Sequence, residues 1–115
     1  MLFHEFEAGN TTYKLRLGIR NIVNLEKTLG CNPLMVFGAG DRIPTITEMV
    51  AILHNSLQSY QHGINLDASY SIFEAFLNDG NQVSDFVQHI VSIYKVSGIL
   101  KDDSTPDEDE EDEKN

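Results

Sequence analysis

The first apolar residues of the chain alternate with polar ones. Residues 13–17 show this alternation strictly, and residues 2–7 show a weaker form of it. A period of two is typical of a half-buried strand. Gly9 and Asn10 lie between the two segments and can adopt the positive φ angles that a tight turn requires. The pattern therefore predicts a β-hairpin over residues 2–17.

After the hairpin, apolar residues recur at the three- and four-residue spacing of helices. A first helix is predicted between Gly18 and Gly30, the second of which is well suited to end it. Asn32 can cap a short helical turn that starts at Pro33 and runs through Phe37. The core stripe predicted for the first helix consists of Ile19, Ile22, Val23 and Leu29, with Leu25 flanking it.

Three further helices are predicted after this turn. Thr45 and Glu48 have the spacing of a capping box ahead of the second long helix. Asn65 can cap the third helix, and the last helix begins near Asn81. The core stripes predicted for these helices are Ile46, Met49, Val50, Leu53, Leu57 and Tyr60; Leu66, Tyr70, Phe73 and Leu77; and Val83, Phe86, Val87, Ile90, Val91 and Tyr94.

Together these elements predict an α+β fold that is mostly α-helical. An N-terminal β-hairpin is followed by four to five helices in a compact bundle, joined by short connections. Residues 1–100 are long enough for one folded domain. Residues 101–115 contain nine of the 18 acidic residues, only two of the 8 basic ones and no residue able to anchor them in a core. This segment is therefore predicted to be a disordered acidic tail.

The charge balance limits the classes of function. A net charge of −10 argues against direct binding to nucleic acid or to an anionic membrane. No apolar segment approaches the ~20 residues that span a bilayer, and the N-terminus does not have the pattern of a signal peptide. The single cysteine, Cys31, cannot form an internal disulfide, which favours a reducing cytosol.

The residue types that carry chemistry are scattered along the chain. Four histidines are present: His4, His54, His62 and His89. They form no His-x-x-x-His pair and none lies beside Cys31, so no zinc motif is present. No histidine is placed by the sequence as a base for Cys31 either. We therefore expect no catalytic residue, no metal ligand and no cofactor, and hence a protein that is not an enzyme.

Several packing and capping segments follow one another along residues 1–100. They are residues 13–17 (YKLRL), 22–30 (IVNLEKTLG), 32–34 (NPL), 44–57, 62–64 (HGI) and 93–100. In this order they resemble the tail assembly chaperones of long-tailed, siphovirus-like bacteriophages and related prophages, particularly those of Gram-positive hosts.

The resemblance implies a role in tail morphogenesis in the cytoplasm of a bacterial host. Such a chaperone binds the tape measure protein, helps to recruit tail tube subunits and is absent from the mature virion. In many relatives a longer product arises by ribosomal frameshifting near the end of the shorter one. Lys114 and Asn115 are compatible with an adenine-rich slippery sequence at that position.

A tape measure protein is long and helical, and its apolar stripes must stay covered until the tube forms. A small helical domain can cover such a stripe with an apolar groove. The candidate partner-binding residues are apolar and offset from the predicted core stripes: Ile52, Ile72, Phe76 and Ile93. The alternative interpretation places all four in the core. The free edges of the hairpin offer a second route, self-association.

Two other functions remain open from the sequence. The first is a structural head–tail connector component, which would be present in purified virions. The second is an acidic inhibitor that mimics DNA, which would bind a host DNA enzyme in a salt-sensitive way.

Overall fold

The fold consists of one hairpin and four α-helices. The computed structural model describes residues 2–38, 40 and 42–101. Apart from residue 101, the predicted acidic tail lies outside the described residues. The elements are β1 (His4–Ala8), β2 (Thr11–Leu15), α1 (Ile19–Leu29), α2 (Ile46–Leu57), α3 (Leu66–Asn78) and α4 (Phe86–Val96), with short 3-10 turns over Pro33–Phe37 and Val83–Asp85.

The architecture confirms the predicted α+β, mostly α-helical class. β1 and β2 are antiparallel, and the residues between them, Gly9 and Asn10, have φ angles of 58° and 69°. Two consecutive positive φ angles are what a type I′ hairpin turn requires. Among the described residues, no helix is both long and apolar enough to cross a membrane.

The helix ends follow the predicted caps. Asn32 Oδ1 accepts a hydrogen bond from the Leu34 N–H at 2.9 Å, and Asn65 Oδ1 accepts one from the Ala68 N–H at 2.8 Å. Gly30 adopts the left-handed conformation that ends α1. Each cap satisfies a backbone group that has no partner within its own helix.

Thr45→Ala is expected to lower the free energy of unfolding by about 1 kcal/mol. Thr45 Oγ1 accepts a hydrogen bond from the Glu48 N–H at 3.1 Å, and Glu48 Oε1 accepts one from the Thr45 N–H at 2.9 Å. Urea denaturation measures the loss. Thr47→Ala, at an exposed position two residues later, is the control, and an equal loss in both variants would contradict the assignment of the cap.

The core joins the inner face of the hairpin to all four helices. Its centre is a cluster of four phenylalanines, Phe6, Phe73, Phe76 and Phe86, of which none is more than 3% exposed. Ring centroids in this phenylalanine cluster lie between 5.1 and 6.2 Å apart, which are favourable separations for aromatic pairs. The side chain of Tyr94 is fully buried, and its hydroxyl donates a hydrogen bond to the carbonyl of Pro33 at 2.9 Å.

α1 packs through a face that differs from the predicted one. Leu25 is fully buried, and Ile22 and Leu29 are half-buried beside it, whereas Ile19 and Val23 are 76% and 43% exposed. The prediction that Leu25 only flanks the stripe was therefore wrong. The helix carries more apolar residues than one face can hold, so its position against α2 decides which of them are covered.

Two helix boundaries also differ from the prediction. α2 ends at Leu57, and Tyr60, predicted to continue its apolar face, lies beyond the helix and is 41% exposed. α4 begins at Phe86, after a 3-10 turn at Val83–Asp85, rather than near Asn81.

Candidate functional site

Three of the four residues predicted to contact a partner lie in the core. Ile52 and Ile93 are fully buried, and Phe76 is 2% exposed. Ile72 is half-buried and packs against the same core. The structure thus places these side chains where the alternative interpretation expects them, and a surface for a partner has to be formed by other residues.

α3 keeps Phe73 and Leu77 of its predicted stripe in contact with the core, but not Leu66 and Tyr70. Leu66 and Tyr70 are 47% and 42% exposed, whereas Ser69, Phe73 and Phe76 are buried. The prediction that Leu66 and Tyr70 face the core was therefore wrong. Like α1, α3 has too many apolar residues for one face, and Phe73 and Phe76 are the two that pack into the phenylalanine cluster.

Two of the exposed apolar residues, Ile46 and Tyr70, border a cleft between α3 and the beginning of α2. The cleft has a volume of about 300 Å³. Its lining residues are Ile46, Tyr70, Ser71, Phe73, Glu74 and Leu77. We call this cleft the α3 groove. Leu66 lies one turn before Tyr70 on the same side of the helix, so it continues the apolar wall of the groove.

Acidic residues lie beside the apolar wall of the α3 groove. Asp67 and Glu74 are exposed and seven residues apart, so they share one side of α3. Within the described part of the chain, the ion pair present is Arg42–Glu48, at 3.0 Å. The carboxylates of Asp67 and Glu74 therefore have no basic partner there. An apolar wall with an acidic rim suits a segment that carries apolar anchors next to lysine or arginine.

A second exposed apolar pair lies on α1. Ile19 and Val23 are one turn apart and project from the same side of the helix. Like Ile46 and Tyr70 they are exposed apolar residues, but they do not line the α3 groove. This pair therefore offers a matched control for experiments on the groove.

The structure brings together two histidines that are far apart in the sequence. His4 Nε2 and His89 Nδ1 lie 2.8 Å apart, close enough for one ring to donate a hydrogen bond to the other. The rings of Phe6 and Phe76 pack edge-on against His89, with centroids at 5.0 and 5.4 Å. Because 85 positions separate the two histidines, no motif in the sequence could have identified this pair.

Burial controls the protonation of this histidine pair. Burial lowers the pKa of His4, and the nearby carboxylate of Glu5 only partly offsets it. The pKa of His89 is lowered by burial and by the neighbouring His4, against a smaller opposing effect of Asp85. Both pKa shifts favour the neutral rings, and an N–H···N hydrogen bond needs the accepting nitrogen to be unprotonated.

The histidine pair does not extend into a metal site in the part of the chain that the structure describes. No group of three or more His, Cys, Asp or Glu side chains is placed there so that it could hold an ion. His54 and His62 are the two histidines closest to each other in the sequence, but neither takes part in the contact between His4 and His89. Cys31 is a free cysteine and is half-buried. The α3 groove is therefore the strongest candidate for a functional surface.

Comparisons with known proteins place the chain in a family. No curated protein and no solved structure gives a significant match. A family model matches residues 4–114, which is almost the whole chain and includes most of its acidic C-terminal segment. The chain therefore belongs to DUF6096, a family of unknown function.

Proposed function

We propose that the chain is a tail assembly chaperone of a long-tailed phage or prophage and that its α3 groove binds the tape measure protein. The observation that carries the proposal is the exposure of Ile46 and Tyr70 in the lining of the cleft, with Leu66 exposed one turn before Tyr70. Clustered exposed apolar residues are typical of interaction sites in soluble proteins. The order of segments shared with tail assembly chaperones supports the choice of partner.

The shape and charge of the α3 groove favour an amphipathic helix as the ligand. A helix docks in a groove through apolar side chains spaced by three or four residues. Tyr70 and Leu66 offer contacts for such anchors along about one turn of helix. Asp67 and Glu74 would then face basic residues that flank the anchors in the partner, and like-charged segments would be rejected.

A small groove also fits the need for release. One shallow contact binds weakly, but many copies along a long helical protein cover it effectively, because each adds to a multivalent array. Weak individual contacts let the chaperone leave when the tube forms. The tail tube protein is the second proposed partner, which the bound chaperone would bring to the growing tail.

Co-expression with the tape measure protein of the same genome tests the partner. We expect the chain to raise the soluble fraction of the tape measure protein and to co-elute with it on a sizing column. If the tape measure protein stays insoluble and the two proteins elute apart, the proposed function fails. Presence of the chain in purified virions would instead favour a head–tail connector component.

A pair of double variants tests the binding surface. Ile46→Gln with Tyr70→Gln is expected to weaken binding to the tape measure protein about tenfold, since each change removes apolar contact area. Ile19→Gln with Val23→Gln removes similar exposed apolar area from α1 and is expected to leave binding unchanged. Equal effects of the two double variants would exclude the α3 groove as the binding surface while leaving the chaperone function open.

A further inference from the structure

The outer edge of β2 is paired at Lys14 with the side chain of Gln61, in the segment that follows α2. The Lys14 N–H donates a hydrogen bond to Gln61 Oε1 at 2.8 Å, and Gln61 Nε2 donates one to the Lys14 carbonyl at 2.9 Å. Two residues further on, the outer edge is paired again, because the Arg16 N–H donates to the Ser56 carbonyl at 3.0 Å. The backbone groups of Lys14 therefore point away from β1.

This orientation fixes which backbone groups lie on the other edge of the hairpin. Glu5 is directly opposite Lys14, and Glu7 is opposite Thr12. In an antiparallel pair, opposite residues either both face each other with their N–H and C=O groups or both face outward. Glu5 and Glu7 consequently point their backbone groups away from β2. Within the described residues these groups have no hydrogen-bond partner.

The side chains on this free edge are acidic and unpaired. Glu5 and Glu7 are both exposed, and neither forms an ion pair with another described residue. The nearest cross-strand base, Lys14, instead places its Nζ 5.0 Å from the centre of the Phe3 ring. The edge therefore presents two carboxylates together with a row of unpaired backbone donors and acceptors.

We propose that the outer edge of β1 binds an extended basic segment of a partner protein as an added strand. Backbone hydrogen bonds to Glu5 and Glu7 would supply the pairing. Lysine or arginine residues at alternate positions of the added strand would lie beside the two carboxylates. This surface is separate from the α3 groove and does not depend on the proposed function.

Charge selects this occupant over the two available within the protein itself. A second copy of β1 would bring its own glutamates beside Glu5 and Glu7, and like charges on neighbouring strands are destabilising. The acidic residues 107–113 of the same chain would be repelled for the same reason. A basic extended segment would instead be attracted by the carboxylates of Glu5 and Glu7.

A synthetic peptide of alternating lysine and threonine, long enough to span β1, provides the probe. We expect it to protect the amides of Glu5 and Glu7 from hydrogen exchange in the full chain and to leave the amides of Thr12 and Lys14 unchanged. The same peptide N-methylated at every backbone amide carries the same charge but cannot donate backbone hydrogen bonds. Equal binding of the two peptides, or no protection by the first, would overturn the proposal.

Matched proline variants test the edge itself. Glu7→Pro and Thr12→Pro each remove one outward N–H from the same cross-strand pair, on opposite edges, where proline is tolerated. Because Glu7→Pro also removes a carboxylate, its effect is compared with that of Glu7→Gln, which keeps the N–H. We expect Glu7→Pro to weaken binding of the lysine–threonine peptide about tenfold and Thr12→Pro to leave it unchanged. Equal weakening by both variants would assign binding elsewhere and contradict the proposal.

A charge variant keeps the test decisive if a proline disturbs the hairpin. Glu5→Gln with Glu7→Gln retains the backbone groups and is expected to weaken the same peptide and to flatten the salt dependence of its binding. Unchanged affinity in this variant would remove charge as the basis of selection. Concentration-dependent dimerisation of the chain alone, with protection of the same two amides, would overturn the proposal in favour of self-pairing.

Discussion

Phe86→Ala is expected to lower the free energy of unfolding by about 3–5 kcal/mol, the range for truncating a buried phenylalanine. Phe86 is fully buried at the first residue of α4, and its ring packs against Phe73 at 5.2 Å and Phe6 at 5.6 Å. The truncation therefore opens a cavity where α3, α4 and the hairpin meet. Such a loss is a large fraction of the stability of a domain this small.

Equilibrium urea denaturation of the purified full chain measures this loss. Phe3→Ala is the matched control, because Phe3 is only half-buried and its ring packs against Tyr60 at 5.4 Å, outside the phenylalanine cluster. We expect the control to lose about 1 kcal/mol. A loss in Phe86→Ala no greater than that of the control would show that the cluster does not hold the helices to the hairpin.

Acid is expected to destabilise the domain through the histidine pair, by about 1–2 kcal/mol between pH 7 and pH 5. Burial lowers the pKa of both His4 and His89 in the folded state. As the pH falls below the ordinary value of about 6.5, the unfolded chain therefore takes up more protons than the folded one. The contribution of the neutral histidine pair to the free energy of unfolding is therefore fully present above this value, and it is lost as the pH falls below it. The expected loss is kept to this range because both rings are partly exposed, and solvent screens their charges.

The free energy of unfolding at a series of pH values between 7 and 5 tests this expectation. Replacing both His4 and His89 with glutamine should remove most of the pH dependence in this window, because glutamine does not titrate. Replacing His54 and His62 with glutamine changes the same number of histidines outside the pair and should leave the dependence intact. The expectation fails if the second double variant flattens the profile as much as the first.

Local patterns predicted the elements of this fold well. The turn at Gly9 and Asn10 and the caps at Asn32, Thr45 and Asn65 each depend on residues at most three positions apart. Such short-range preferences act in the same way in any surrounding structure. The hairpin, the helices and the α+β class could therefore be predicted before any packing was known.

The choice of buried face could not be predicted in the same way. In α1 and α3, apolar residues cover more than one side, and contacts with distant segments decide whether Leu25 or Val23, and Phe76 or Tyr70, become buried. Periodicity identifies the candidates for burial but does not rank two adjacent faces of one helix. The α3 groove was missed because its apolar residues were assigned to the core.

The amide side chain of Gln61 determines on which side of the hairpin a further strand can be added. It occupies the backbone of Lys14 as a neighbouring strand would, with one donated and one accepted hydrogen bond. Because the backbone of Lys14 is already paired, a strand can add at that position only on the β1 side. Open-ended stacking of hairpins into a fibre, the usual hazard of an exposed strand, is thereby prevented at the β2 side.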